Sequence, residues 1–266
     1  MTTNIPSTKL ITCISIERSG TNHILNNLLH KFSNMNVNRE LYNEAVGCTY
    51  KIRINTKYYL PEFETSSPID IINILMKNSS EKYVIHKIFA NHFKYNNYNN
   101  MQKYDFNNKL YENKYNNLLL KSSAICFIKR NLLDMYISLE KTKITNQWHN
   151  YNSTNIKIIF NIEEFIKYKN NILTWFKMSK QNCIKLGKPI IVLDYDELNQ
   201  LSEEEQLKYC KSKFTNSLND DFKYNINLIS RTKKQDLSEN YCDKISNYDD
   251  VSEFINNKNN FINNEC

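Results

Sequence analysis

Four short apolar runs constrain this chain most: KLITCISI (9–16), KYVIHKIFA (82–90), AICFIKR (124–130) and the first half of KPIIVLDYDEL (188–198). Each is bounded by polar residues and dominated by Ile and Val, the pattern of a strand buried on both faces. Helical spacing follows the first run, where TNHILNNLLHKF places Ile24, Leu25, Leu28, Leu29 and Phe32 on one face. NLLDMYISLEKTK follows the third run, with Asn131 as its expected cap. SEEEQLKYCKSKF follows the fourth, with acids first and lysines last, as the helix dipole favours. Strands that alternate with helices predict a mostly parallel sheet covered on both faces, a three-layer α/β/α fold.

Between these units, SSPIDIINILMK predicts a helix with Ser67 as cap, Pro68 at its first position and Asp70 closing a capping box. A longer helix is expected over IEEFIKYKNNILTWFKMSKQNCIKLG. Asn161 and Glu164 form its capping box, Ile162, Phe165, Ile166, Ile172, Leu173, Phe176 and Ile184 its apolar spacing, and Gly187 its stop. Asn91 to Lys121 is rich in Asn, Tyr and Lys and weakly periodic, so it reads as a surface insertion or short helices with loops. Residues 1–250 therefore form one α/β domain with an insertion at 91–121, and 251–266 a C-terminal tail; SENYCDKISNYDDVSEFINNKNNFINNEC (238–266) reads as an appended helix with a frayed end.

Charge and cysteine content narrow the function. The formal net charge of +7 suits an anionic ligand, but the lysines are scattered and no run of five or six basic residues occurs. A nucleic-acid surface is therefore not expected. The chain has seven cysteines, an odd number, widely spaced and without a Cys-x-x-Cys pair. That argues against a disulfide framework or a zinc site and for a reducing compartment. Cys13 and Cys126 lie inside apolar runs and read as small buried hydrophobes. No stretch reaches 18 apolar residues and no signal peptide is evident. A soluble, cytoplasmic protein with no membrane partner is the expectation.

SIERSGTN (15–22) joins the first strand to the first helix. Such a turn presents backbone N–H groups at the positive end of a helix, which suits a phosphate. Gly20 allows close approach, Ser19 and Thr21 add hydroxyls, and Arg18 adds a fixed charge with a planar fork of donors. The loop lacks the Gly-Lys-[Ser/Thr] ending of a Walker loop, which disfavours a magnesium-dependent NTPase. A second constellation follows the third run. Arg130 stands at the strand end and Ser138 eight residues later, where both can face an anion above the helix start.

RSGTN after the first strand, with RNLLDMYISL after a later one, resembles the sulfotransferases that use 3′-phosphoadenosine-5′-phosphosulfate (PAPS). RELYNE, HKIFANHF, EKTKITNQWH, IVLDYDEL and RTKKQDLSENYCDKISNYDDV follow in order. They are similar to segments of the bacterial nodulation-type and trehalose-type carbohydrate sulfotransferases. The resemblance spans Leu10 to Val251. It implies a P-loop-like fold and transfer of a sulfonate from PAPS to a hydroxyl, on a carbohydrate, without a metal. Arg18, Ser19, Gly20, Thr21 and Asn22 would hold the 5′-phosphosulfate, with Arg18 also stabilising the leaving phosphate. Arg130 and Ser138 would hold the 3′-phosphate, helped by Lys233, Lys234 and Gln235 in place of the glycines usual there. Glu40 matches the position of a catalytic carboxylate, able to take the acceptor proton. Glu17 departs from the pattern by placing a negative charge beside the loop.

Other bases remain open. His92 follows a strand end, where an active site of a parallel sheet lies. His23 is expected to pack in the first helical turn or touch the donor. His86 in a strand reads as a core histidine, and His30 is unassigned. Lys87 either faces the transferring group or points outward, and Trp148 and His149 either wall the acceptor pocket or pack on the core. Asp194 and Asp196 invite a metal reading, but capping of the next turn is preferred. Two rival functions remain: a nucleotide or small-molecule kinase with a degenerate loop, and a non-catalytic nucleotide-binding protein of the same fold. The acceptor and the oligomeric state are not set by the sequence.

Overall fold

The computed structural model describes residues 8–38, 52–54, 57–59, 68–89, 109–147, 152–229, 238 and 240–257. Its centre is a sheet of five parallel strands, in the order β2 (Met35–Val37), β5 (Tyr83–Phe89), β1 (Lys9–Ser15), β6 (Ala124–Lys129) and β7 (Ile190–Asp194). β3 (Ile52–Ile54) and β4 (Lys57–Tyr59) form a separate antiparallel pair. β1 is flanked by β5 (Leu10 opposite Val84) and by β6 (Cys13 opposite Cys126).

Alternation along β1 builds the three layers. Leu10 and Ile14 pack into one core with α2 (Pro68–Asn78), α3 (Lys109–Lys121), α4 (Leu132–Thr145), α5 (Ile162–Lys185) and α8 (Tyr248–Asn256). Ile11 and Cys13 pack into the other with the helical run after β1 and with α7 (Glu203–Leu218). That run begins as α1 (Thr21–His23) and continues through a π turn (Ile24–Leu28) and a 3-10 turn (Leu29–Lys31). Cys13 and Cys126 are fully buried free thiols, as expected of apolar positions.

Capping residues end or start the helices as the sequence predicts. Asn131 accepts from the amides of Leu133 and Asp134, and Asn161 accepts from that of Glu164, but the return bond of the expected capping box, from Asn161 N to the Glu164 carboxylate, is not formed among the described residues. Gly187, at φ 61°, closes α5 with Gly187 N to Ile184 O and Lys188 N to Cys183 O, both at 3.0 Å. This is the paired bond pattern of a left-handed glycine stop. α2 begins at Pro68; its expected cap Ser67 lies outside the described residues.

Three expectations change. α3 lies inside the segment read as an insertion, yet it buries Tyr115, Leu118 and Leu119 between β5 and β6 in the chain. Asn and Lys on its outer side mask this apolar edge in the sequence. The boundary at 250/251 cuts through α8, whose Val251 and Ile255 are core residues. In α5, Ile166 and Ile184 are exposed, while Trp175, Ser179 and Cys183 join Phe165, Ile172 and Phe176 in the buried stripe. Residue 166 follows 165 by one helical step of about 100°, which rotates it out of that stripe.

Candidate functional site

The C-terminal ends of β5, β1 and β6 meet at the middle of the sheet, where ligands of open parallel sheets bind. The turn after β1 is tight. Ser19 N donates to Ile16 O at 3.2 Å, Arg18 has φ 69° and Gly20 has φ 80°. Gly20 caps α1 with no side chain, so the first-turn amides have no acceptor from the cap. Only glycine fits at 20 for a second reason: a Cβ there would lie 2.1–2.7 Å from the ring atoms of Tyr195.

Arg18, Arg130 and Ser138 converge on this turn. Arg18 Nε donates to Ser138 Oγ at 2.9 Å, and Arg130 Nη1 donates to the Arg18 carbonyl at 2.8 Å. The residues the resemblance assigns to separate phosphates therefore share one hydrogen-bonded cluster. Burial lowers the Arg18 pKa, and the neighbouring Arg130 charge lowers it further. Arg130 Nε is buried and makes no hydrogen bond among the described residues. Two cations held this close favour an anion between or beside them.

The β6–α4 corner is fixed by the turn after β7. Lys129 pairs with Asp194 at 3.0 Å, Arg130 lies over the Tyr195 ring at 4.7 Å, and Asn131 N donates to Asp196 Oδ2 at 2.5 Å. Three consecutive residues of one corner thus meet three consecutive residues of the other. Asp194 also caps α6 (Tyr195–Leu198) by accepting from the amides of Asp196 and Glu197. Burial raises the Asp196 pKa, while the Asn131 amide and Arg130 lower it. Both carboxylates are committed to structure, as preferred from the sequence. Among the described residues no group of three His, Cys, Asp or Glu could hold a metal ion. Sequence reasoning missed Tyr195. In DYDEL the two acids draw attention, and an aromatic between them carries no periodic signal.

The loop hydroxyls form an internal chain. Ser19 and Thr21 lie 2.6 Å apart, and Thr21 Oγ1 donates to Ser15 Oγ at 3.0 Å. A hydroxyl has one proton, so Ser19 donates to Thr21. Both protons hold the loop in shape in this conformation. Asn22 Oδ1 accepts from Lys87 Nζ at 2.7 Å. Lys87 is buried at 3% exposure and also lies 4.9 Å from the Phe89 ring centroid. It faces the loop and not the solvent.

His23 is held on both nitrogens. Nε2 donates to Gln206 Oε1 at 3.1 Å, and Nδ1 accepts from Asn27 Nδ2 at 3.1 Å. Gln206 Nε2 donates to Leu198 O and Leu201 O, which fixes the direction of its amide. This assignment makes His23 a neutral imidazole, and burial lowers its pKa. His86 is fully buried, with Nε2 2.8 Å from Thr12 Oγ1, which in turn lies 2.8 Å from Ser122 Oγ. It is a core histidine, as the sequence suggested. Glu40, His92, Trp148, His149, Lys233, Lys234 and Gln235 lie outside the described residues.

Among the described residues no helix is long and apolar enough to cross a membrane. No protein-family model, curated protein or solved structure matches the chain.

Proposed function

We propose that this chain is a sulfotransferase that moves a sulfonate group from PAPS to an acceptor hydroxyl on a carbohydrate. One observation carries the reading: Arg18, Arg130 and Ser138 meet at a glycine-capped turn at the central C-terminal edge of a parallel sheet. Such a cluster supplies fixed charge for an anionic ligand; its division between two phosphates comes from the resemblance. The choice of PAPS and of a carbohydrate acceptor rests on the motif resemblance alone.

In the reaction the acceptor oxygen attacks sulfur as the bond from sulfur to the 5′-phosphate oxygen breaks. The acceptor proton passes to a carboxylate or imidazole, for which Glu40 and His92 are the candidates. The leaving group is adenosine 3′,5′-bisphosphate, whose growing charge Arg18, Lys87 and the loop amides would offset. Positioning and charge stabilisation carry such a transfer, as they do for phosphoryl groups. A kinase reading is weaker, because Thr21 stands where a Walker loop carries its lysine and Asn22 where it carries the magnesium-binding hydroxyl.

The test is transfer of radiolabelled sulfonate from PAPS to a panel of oligosaccharides, with a parallel ATP phosphotransfer assay. Labelled oligosaccharide that depends on Arg130 is the expected result. Phosphotransfer from ATP without sulfonate transfer would overturn the proposal.

A further inference from the structure

One ring touches both the turn after β1 and the β6–α4 corner of the candidate site. Tyr195 covers Gly20 so closely that a Cβ would sit 2.1 Å from its Cδ2. The Arg130 guanidinium carbon lies over the ring at 4.7 Å from the centroid, and the His23 ring meets it in a T-shaped contact at 6.0 Å. Two flanking anchors hold the ring in place: Asp194 to Lys129, and Asp196 to the Asn131 amide.

We propose that Tyr195 is a positioning residue that aims Arg130 at the bound anion and locks the loop against it, acting through its ring and not its hydroxyl. An arginine side chain has several rotatable bonds, so its guanidinium would sample many directions on its own. Here one Nη is tied to the Arg18 carbonyl at 2.8 Å while the plane rests on an aromatic face. The two contacts commit one of five N–H donors, so Nε, buried and without a hydrogen bond among the described residues, and the remaining Nη hydrogens are left to offer a ligand. An aromatic face also attracts a cation, so the ring lowers the cost of holding Arg130 beside Arg18. Gly20 follows from the same contact, since any side chain at that position would push the ring off Arg130. The proposal rests on the reading of Arg130 as an anion ligand, and its test separates the two.

The arginine Nε–H signal of Arg130 in a nitrogen-15 NMR spectrum, assigned by its loss in Arg130→Lys, reports the ring directly without ligand. It should be displaced upfield in the wild type and in Tyr195→Phe, and return to the ordinary position in Tyr195→Leu. Gly20→Ala, which keeps Tyr195 but moves its ring, should shift the same signal; this variant decides the matter if Tyr195→Leu does not fold. Titration with adenosine 3′,5′-bisphosphate then adds the functional readout. Tyr195→Phe should bind within about twofold of the wild type and Tyr195→Leu about tenfold more weakly. Arg130→Lys should cost less when combined with Tyr195→Leu than alone, because coupled residues do not add. An Arg130 signal and an affinity both unmoved in Tyr195→Leu would overturn the proposal. A signal that follows the ring in a protein that does not bind the bisphosphate would leave the positioning role standing and remove the sulfotransferase reading.

Discussion

The turn after β1 and the turn after β7 are both strand-to-helix corners on the same edge of one sheet, and they are finished in opposite ways. After β7, Asp194 caps its own helix turn and pairs with Lys129. After β1, Gly20 provides no side-chain cap, and the charges brought to the turn from other strands are the cations Arg130 and Lys87. The corner after β7 satisfies its amides internally. The corner after β1 gathers donors and positive charge, and the buried Nε of Arg130 has no acceptor among the described residues. On the proposed reading the corner after β1 receives an anion and the corner after β7 is scaffold, although in sequence both are short polar stretches after an apolar run.

The contrast can be broken from either side. The largest expected effect is that of Arg130→Ala. Removing a charge-assisted contact costs about 1.5–3 kcal/mol, so affinity for adenosine 3′,5′-bisphosphate should fall roughly 10- to 100-fold in calorimetry. Gly20→Ala comes next. Its left-handed backbone alone costs about 1–2 kcal/mol in a non-glycine residue, and the contact with Tyr195 adds to it. The urea midpoint should fall together with affinity. Asp194→Ala attacks the scaffold corner. Loss of a helix cap costs about 1 kcal/mol, so stability should fall while affinity changes far less than in Arg130→Ala.

The smallest effect is one of pH. Burial lowers the His23 pKa below its ordinary value of 6.5, so the folded protein resists a proton that the unfolded chain accepts. Stability from this group is full above pH 6.5 and falls as pH drops from there towards the lowered value. Urea midpoints measured from pH 5 to 8 should therefore show a wild-type loss on the acid side that is reduced in His23→Gln.

The comparison also shows what the sequence could and could not reveal. The α/β class follows from four β-branched runs and their helical successors, because burial on both faces forces that pattern. The loop was visible because Arg18, Ser19, Gly20 and Thr21 are adjacent. The Arg18–Ser138 hydrogen bond spans 120 residues and was not foreseen, since separate motifs carry no distance between them. Tyr195 was invisible for a related reason: its importance lies in what it touches, and Gly20 and Arg130 are far from it in the chain. β2 was also missed, because three residues with a central asparagine give no strand signal. α3 was hidden by the Asn-rich composition of its surroundings, although Leu118 and Leu119 are fully buried.

The most direct test of the central claim is calorimetric titration of the wild type with adenosine 3′,5′-bisphosphate, beside 5′-ADP and Mg-ATP, repeated in Arg130→Ala. Preferential binding of the 3′,5′-bisphosphate, lost in the variant, is the predicted result. Equal binding of all three nucleotides, or binding that Arg130→Ala leaves intact, would contradict the assignment of this corner as a two-phosphate receptor.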